Sequence, residues 1–159
     1  IWQQLENAHL LHNTLVIITS DIATPAANSA ALTNGNSFDP ARIKVPMIVY
    51  WQGDAGTYTD NSSHMDVAPT VLSQFFGVIS PASDYSQGLD LTKEHRRLWV
   101  LSSNYKWDVA IMSDGEQYHI DRKGDFEHYN AEGEKQSFTR PPLALFLQLI
   151  QQSNEFVEK

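Results

Sequence analysis

Leu15-Val-Ile-Ile-Thr-Ser-Asp21 decides how this chain is read. Five consecutive apolar or β-branched residues, too few for a helix of ordinary length, stop abruptly at polar ones. A run that is apolar at every position, rather than at alternate ones, suits a strand buried on both faces, as strands of parallel sheets are. The expectation is therefore an α/β domain in which this is a buried parallel strand whose carboxyl end opens on a crevice. Ligands of open α/β sheets sit at such carboxyl ends. Thr19, Ser20 and Asp21 thus stand as candidate binding residues.

Upstream, Ile1, Trp2, Leu5, Ala8 and Leu11 fall at helical spacing and predict an amphipathic helix over residues 1–13, with Asn13 as its stop. His9 and His12 lie three apart on it, a spacing that serves a weak metal pair or, more simply, exposed or partner-facing imidazoles. The chain opens without Met and directly on this helix, and a strand apolar on both faces needs neighbours on either side. A fragment whose upstream neighbours lie outside the sequence is expected.

Downstream, residues 22–42 are rich in Ala, Asn, Ser and Thr with few large apolar groups, and read as a long loop over the sheet's carboxyl edge. It is either a solvated connection or a lid or partner-contacting loop. Ile43–Trp51 is a second strand candidate with Pro46 near its start, followed by a turn at 52–56. Ser63-His64-Met65-Asp66-Val67-Ala68-Pro69-Thr70 is the most specific motif. Ser63 or Asp66 can cap a helix running from about Val67 through Phe76, with Pro69 tolerated in its first turn. Two readings of His64 remain open. One is an imidazole packed or hydrogen-bonded at a helix entrance. The other is a phosphate- or sulfate-contacting group beside a helix N-terminus, and so a weak catalytic candidate.

Several of these segments resemble one family. Leu15 to Asp21 resembles the T-S-D-H-G strand of the sulfatase and alkaline-phosphatase superfamily, whose Asp and His at that turn bind metal. This chain keeps Asp21 and then has Ile22-Ala-Thr-Pro in place of His and Gly. The segment around Val45-Pro46 resembles the family's v-P-l-i-v strand, with Gln52-Gly53 where Pro-Gly stands. Asp66-Val-Ala-Pro-Thr-Val-Leu72 resembles its D-x-x-P-T-L-L helix opening, and Gly88-Leu-Asp-Leu91 its G-x-S-L element. Pro81-Ala-Ser-Asp-Tyr-Ser-Gln-Gly-Leu-Asp-Leu91, with Arg96-Arg97, a Trp-Val strand, Tyr129-Asn-Ala-Glu-Gly-Glu134 and a Leu-rich last helix, resembles a narrower group. These are the YejM-type (PbgA-type) sulfatase-like inner-membrane proteins of Gram-negative envelopes.

From Leu98 the character changes. Leu98–Ser102, Trp107–Met112, Gln117–Asp121 and Phe126–Tyr129 are short, β-rich and separated by turn signals such as Asp114-Gly115 and Lys123-Gly124. A small antiparallel meander is predicted. His119 and His128 either oppose each other across two strands or occupy half-exposed positions. Leu143, Phe146, Leu147 and Ile150 share one face of a last helix opened by Pro141-Pro142, and that face is expected to cover the meander. The full expectation is the C-terminal fragment of an alkaline-phosphatase-like α/β domain over residues 1–92, then an antiparallel β subdomain with a terminal helix over 93–159.

Composition bounds the chemistry. The balance of 11 basic and 19 acidic residues gives a net charge of −8 among 159 residues, which repels nucleic acid and anionic lipid. The absence of cysteine removes disulfides, thiolate metal sites, thiol nucleophiles and the C-x-P-x-R sulfatase signature. No run reaches the roughly 18–20 apolar residues of a membrane span.

A hydrolase of this superfamily needs several carboxylate or His ligands around a divalent cation that polarises the ester and activates a nucleophile. Only Asp21 matches a family ligand, and Ile22 cannot bind a metal. No cofactor is expected in the fragment itself. A divalent metal, like the nucleophile, belongs to the intact parent in the reading the resemblance implies. The resemblance further implies a parent with N-terminal membrane helices and this part on the periplasmic side of the inner membrane. Such a parent acts in envelope lipid balance and lipopolysaccharide control, with lipid A as ligand. Its scaffold would be non-catalytic or weakly catalytic. The rival is a working sulfo- or phosphoester hydrolase, or phosphoethanolamine-type transferase, that uses Asp21 with upstream ligands. The partners expected are the upstream half of its domain, the membrane helices, lipid A or lipopolysaccharide and membrane regulators through the parent and, through an exposed sheet edge, a second copy; no nucleic acid is expected.

Overall fold

The computed structural model of the 159-residue chain describes residues 1–21, 23, 38–51, 56–93, 97–137, 140 and 142–155. Ile22, most of the loop expected at 22–42, the turn at 52–55, Arg96 and Pro141 lie outside the described residues. The chain forms two compact units, Ile1–Thr57 and Tyr58–Lys159. Contacts thus divide it at 57/58, whereas the boundary expected from sequence falls at 92/93.

In the first unit the expected 13-residue helix is shorter. Helix α1 spans Trp2–Asn7, and a separate 3₁₀ turn spans Leu11–Asn13. The break lies at His9, whose φ of 55° is left-handed. His9 N–H donates to the Glu6 carbonyl (3.0 Å) and Leu10 N–H to the Leu5 carbonyl (2.9 Å). This is the Schellman pairing that closes a helix, made here with His where Gly is usual.

Strand β1 (Val16–Thr19) pairs with β2 (Met47–Tyr50). The pairing is antiparallel, with Val16 opposite Tyr50 and Thr19 opposite Met47, which corrects the parallel strand expected from sequence. Ile18 (54% exposed) and Ile48 (57%) face each other across the ladder, so the strand is not the buried one expected either. Among the described residues β1 has a partner on one side only. Between the strands, helix α2 (Pro40–Ile43) is set by the Asp39 carbonyl, which accepts from Arg42 N–H and Ile43 N–H. Pro46 precedes β2, where its missing N–H costs no ladder bond.

The second unit opens with a 3₁₀ turn, His64–Asp66, running into helix α3 (Val67–Phe76). Gly77 ends the helix at φ 64°, and Val78 N–H returns to the Leu72 carbonyl. Strands β3 (Trp99–Ser103), β4 (Trp107–Met112), β5 (Gln117–Asp121), β6 (Phe126–Tyr129) and β7 (Lys135–Gln136) form one antiparallel sheet in sequence order. Four of these match the predicted meander; β7 is additional. The turns are built by side chains that mimic backbone. Asp121 Oδ1 accepts from Lys123 and Asp125 N–H, and Asn104 Oδ1 from Lys106 and Trp107 N–H.

Helix α4 (Leu143–Asn154) covers one sheet face. The core holds Ala110, Tyr118, Ile120, Leu145 and Leu149, flanked by Trp99, Leu101, Met112, Phe126 and Phe146. The helix thus packs through Leu145 (6% exposed) and Leu149 (2%), while Leu143, Leu147 and Ile150 stay exposed. Of the four residues expected to cover the meander only Phe146 packs against the core. The helix is rotated because Leu145 and Leu149, four apart, form a second apolar stripe that sequence spacing ranks no lower.

Candidate functional site

The residues singled out at the end of β1 lie at the last position of the strand and just past it. Asp21 is exposed. The Thr19 hydroxyl donates to the Pro46 carbonyl (3.0 Å), tying β1 to the start of β2. Ser20 is half-buried. Among the described residues no group of three or more His, Asp or Glu gathers as a metal cluster. His64 belongs to the second unit, exposed in the first position of the 3₁₀ turn. The donors beside it are already taken: Met65 N–H gives to Ser63 Oγ (3.2 Å) and Ser63 N–H to Asp66 Oδ2 (2.7 Å). Ser63 and Asp66 therefore form a reciprocal capping box.

The residue that sequence reading undervalued is Asp66, whose side chain is fully buried. Its Oδ1 accepts from Leu89 N–H (2.8 Å) and Arg97 Nη2 (2.6 Å), its Oδ2 from Ser63 N–H and Arg97 Nη1 (2.8 Å). A buried carboxylate is tolerated when every lone pair finds a donor and a guanidinium forks onto it. Here one side chain joins the entry to α3, the Gly88-Leu-Asp-Leu91 segment and the lead into β3. Thr70 continues the clasp: its hydroxyl donates to the Asp66 carbonyl (2.7 Å) and accepts from Leu91 N–H (3.0 Å). Gly88 is required where the segments meet, because a Cβ there would lie 1.9 Å from the Met65 carbonyl oxygen.

A second buried carboxylate lies in the Gly88–Leu91 segment itself. Asp90 is 5% exposed and accepts from Thr92 N–H, Thr92 Oγ1 and Gln74 Nε2, with Lys93 Nζ 3.3 Å away. Burial opposes its ionisation. Hydrogen bonds from Thr92, Ser73 and Gln74 outweigh that and hold the carboxyl below the usual carboxylate range. A cavity of about 390 Å³ opens between Asp90, Lys93, Ser73, Tyr85 and the 77–82 turn. A smaller one, about 290 Å³, is lined by Thr59, Asp60, Asn61, Arg97 and Ser113.

The meander histidines are both buried, against the half-exposed positions expected, and they do not face each other. His119 pairs with Glu127 and His128 with Tyr118, so their side chains leave the sheet on opposite faces. His119 Nε2 is 3.1 Å from Gln117 Oε1 and its ring packs against Tyr129, 4.6 Å between centroids. Burial pushes its pKa down to about 4, the Glu127 charge opposing this only in part. His128 stacks on Tyr118 at 4.6 Å and lies 3.3 Å from Glu116 Oε2 without hydrogen-bond alignment.

The arrangement can hold three segments together through two buried carboxylates. The capping-box spacing Ser63-x-x-Asp66 is a legible signal for Asp66; nothing in the sequence points to Arg97 as its counter-ion.

Comparison with known proteins places the chain. Residues 1–78 match the Sulfatase family model. Over 150 residues, 94% of this chain and 26% of the relative, it is 41% identical to an uncharacterized protein of Haemophilus influenzae. Over 157 residues, 96% of this chain and 26% of the relative, it is 29% identical to the inner membrane protein YejM of Salmonella typhimurium, and equally to that of Salmonella typhi. The chain spans about a quarter of the length of the relatives it matches. Among the described residues no helix is long and apolar enough to cross a membrane. Residues 1–78 thus match the Sulfatase family model, within a chain similar along nearly its whole length to the YejM inner membrane proteins.

Proposed function

We propose that this chain is part of the periplasmic domain of an inner-membrane protein that keeps the sulfatase scaffold without its metal chemistry. It serves envelope lipid and lipopolysaccharide balance. The observation that carries this reading lies at the end of β1. Asp21, the one residue matching a family metal ligand, is exposed and is followed in sequence by Ile22, whose side chain has no donor atom. Replacing a metal-binding imidazole by a hydrocarbon removes a ligand outright and with it much of the cation affinity. The most specific motif points the same way: its carboxylate, Asp66, is committed to Arg97 and two backbone N–H groups and cannot act as ligand or base without breaking the clasp.

The partners in this reading are the preceding part of the same domain, the membrane helices and lipid A. Contacts with anionic lipid fall to segments other than this one, whose net charge of −8 opposes them. The rival, a sulfo- or phosphoester hydrolase or phosphoethanolamine-type transferase, keeps Asp21 as a ligand and His64 near the ester. Turnover of aryl sulfate and aryl phosphate, and binding of lipid A, should be measured on the full-length protein in nanodiscs, beside Asp21→Ala. The expected result is lipid A binding unchanged by the substitution and no turnover that depends on Asp21. Ester cleavage lost in Asp21→Ala would replace this reading with the rival.

A further inference from the structure

Helix α4 carries two apolar stripes and uses one. Leu145 and Leu149 fill the core, while Leu143 (71% exposed), Leu147 (57%) and Ile150 (45%) line the opposite side. With Asn154 these fall at intervals of four, three and four, the a/d seam of a short coiled coil, with a polar residue at one a position. No residue of Leu143–Asn154 is charged, in a chain whose net charge is −8. The nearest described charges flank the helix: Arg140, exposed, before it and Glu155, exposed, after it.

We propose that this stripe is the contact of α4 with α4 of a second copy of the chain, antiparallel about a two-fold axis. An isologous two-fold contact requires a surface complementary to itself, and three features meet that. The seam is apolar and uncharged, so two acidic molecules can approach there without repulsion. Antiparallel pairing sets Leu143 beside Asn154 and Leu147 beside Ile150 of the other copy. It also brings Arg140 near the other copy's Glu155 at both ends, opposite charges where a parallel pair would juxtapose like ones. A membrane surface fits less well, because interfacial helices carry Lys or Arg opposite the apolar face and α4 has none. The helix is about 18 Å long. Its seam is smaller than the roughly 800 Å² per partner of a standard interface, so the dimer is weak and concentration-dependent. The inference does not depend on whether the scaffold is catalytic.

The absence of cysteine from this chain makes cross-linking a clean test. In the full-length protein, with any cysteine outside these residues replaced by Ser, Leu147→Cys and a size-tagged Ile150→Cys are mixed and mildly oxidised. Tyr105→Cys, 91% exposed on the β3–β4 turn, reports random collision. The expected result is a mixed disulfide dimer in roughly tenfold excess over the Tyr105→Cys control, as an oriented pair gives. Leu143→Cys alone should stay near the control, its two copies lying about 16 Å apart along antiparallel axes. Circular dichroism checks that each variant keeps its fold. Mixed dimer no more abundant than the control overturns the proposal. So does strong self-cross-linking of Leu143→Cys, which means a parallel pair. Protection of Leu147→Cys from maleimide in a monomer, which means that another part of the protein or the bilayer covers α4, overturns it too.

Discussion

Asp66 shows at the scale of one residue how the most specific motif of a sequence can be committed to holding segments together. Its carboxylate has four donors and no exposure, so removing its charge leaves a largely covered guanidinium uncompensated. Asp66→Asn should lower unfolding free energy by about 3–5 kcal/mol, measured by urea denaturation at neutral pH. A loss under about 1 kcal/mol would mean that the clasp contributes little. His119 gives a pH signature. Its folded pKa of about 4 lies below the ordinary value near 6.5, so the unfolded chain binds the proton more readily. Stability from this group is fully present above about pH 6.5 and is lost as pH falls towards 4, up to about 3 kcal/mol in total. His119→Gln should flatten that part of the profile in pH-dependent denaturation; an unchanged slope would exclude His119 as its source. At His9 the αL backbone without glycine costs about 1 kcal/mol. His9→Gly should therefore raise the denaturation midpoint.

Asp66, its partner Arg97 and His9 are unequally legible. The cap at Ser63 and Asp66 follows from local spacing. The Arg97 partner is 31 positions away, and no local rule reaches it. His9 lies in the interior of an apolar-periodic run, where periodicity reports burial and says nothing about where the backbone turns.

Among the elements, the meander is the best-read part because period-two patterning and turn residues agree there, and three of its strands lie within the expected bounds to the residue. Strand β1 reads correctly as a strand and wrongly as parallel and buried. Continuous apolarity reports that both faces want cover; it carries no information about the direction of the neighbour, which depends on β2 returning alongside. Helix α4 is misrotated for a related reason, since two apolar stripes on one helix leave periodicity without a unique answer. The rotation makes a paired prediction. Leu149→Ala should cost about 2–5 kcal/mol, and Leu147→Ala should stay within about 0.5 kcal/mol in dilute monomer. The reverse order in denaturant midpoints would restore the face expected from sequence. Gly88 tests how the 86–91 segment docks on the α3 entrance. Gly88→Ala places a carbon against the Met65 carbonyl and should cost at least about 2 kcal/mol, read in the same way.

For the whole molecule, the sequence is sufficient to find the sulfatase resemblance, which the family match over residues 1–78 and the similarity to YejM bear out. It does not reveal how contacts divide the chain. Residues 58–92, which the sequence groups with the strands before them, are tied by the Asp66–Arg97 pair to the lead into β3 and belong to the second unit. If the scaffold has lost its metal chemistry at Asp21-Ile22, the intact protein should hold no divalent cation through Asp21. The direct test is calorimetric titration of Mn²⁺, Mg²⁺, Ca²⁺ and Zn²⁺ into the full-length protein, with Asp21→Ala alongside. The same heats are expected from both proteins, with no saturable site that the substitution removes. Binding in the micromolar range that disappears in Asp21→Ala would contradict the loss and return the protein to the metallohydrolases.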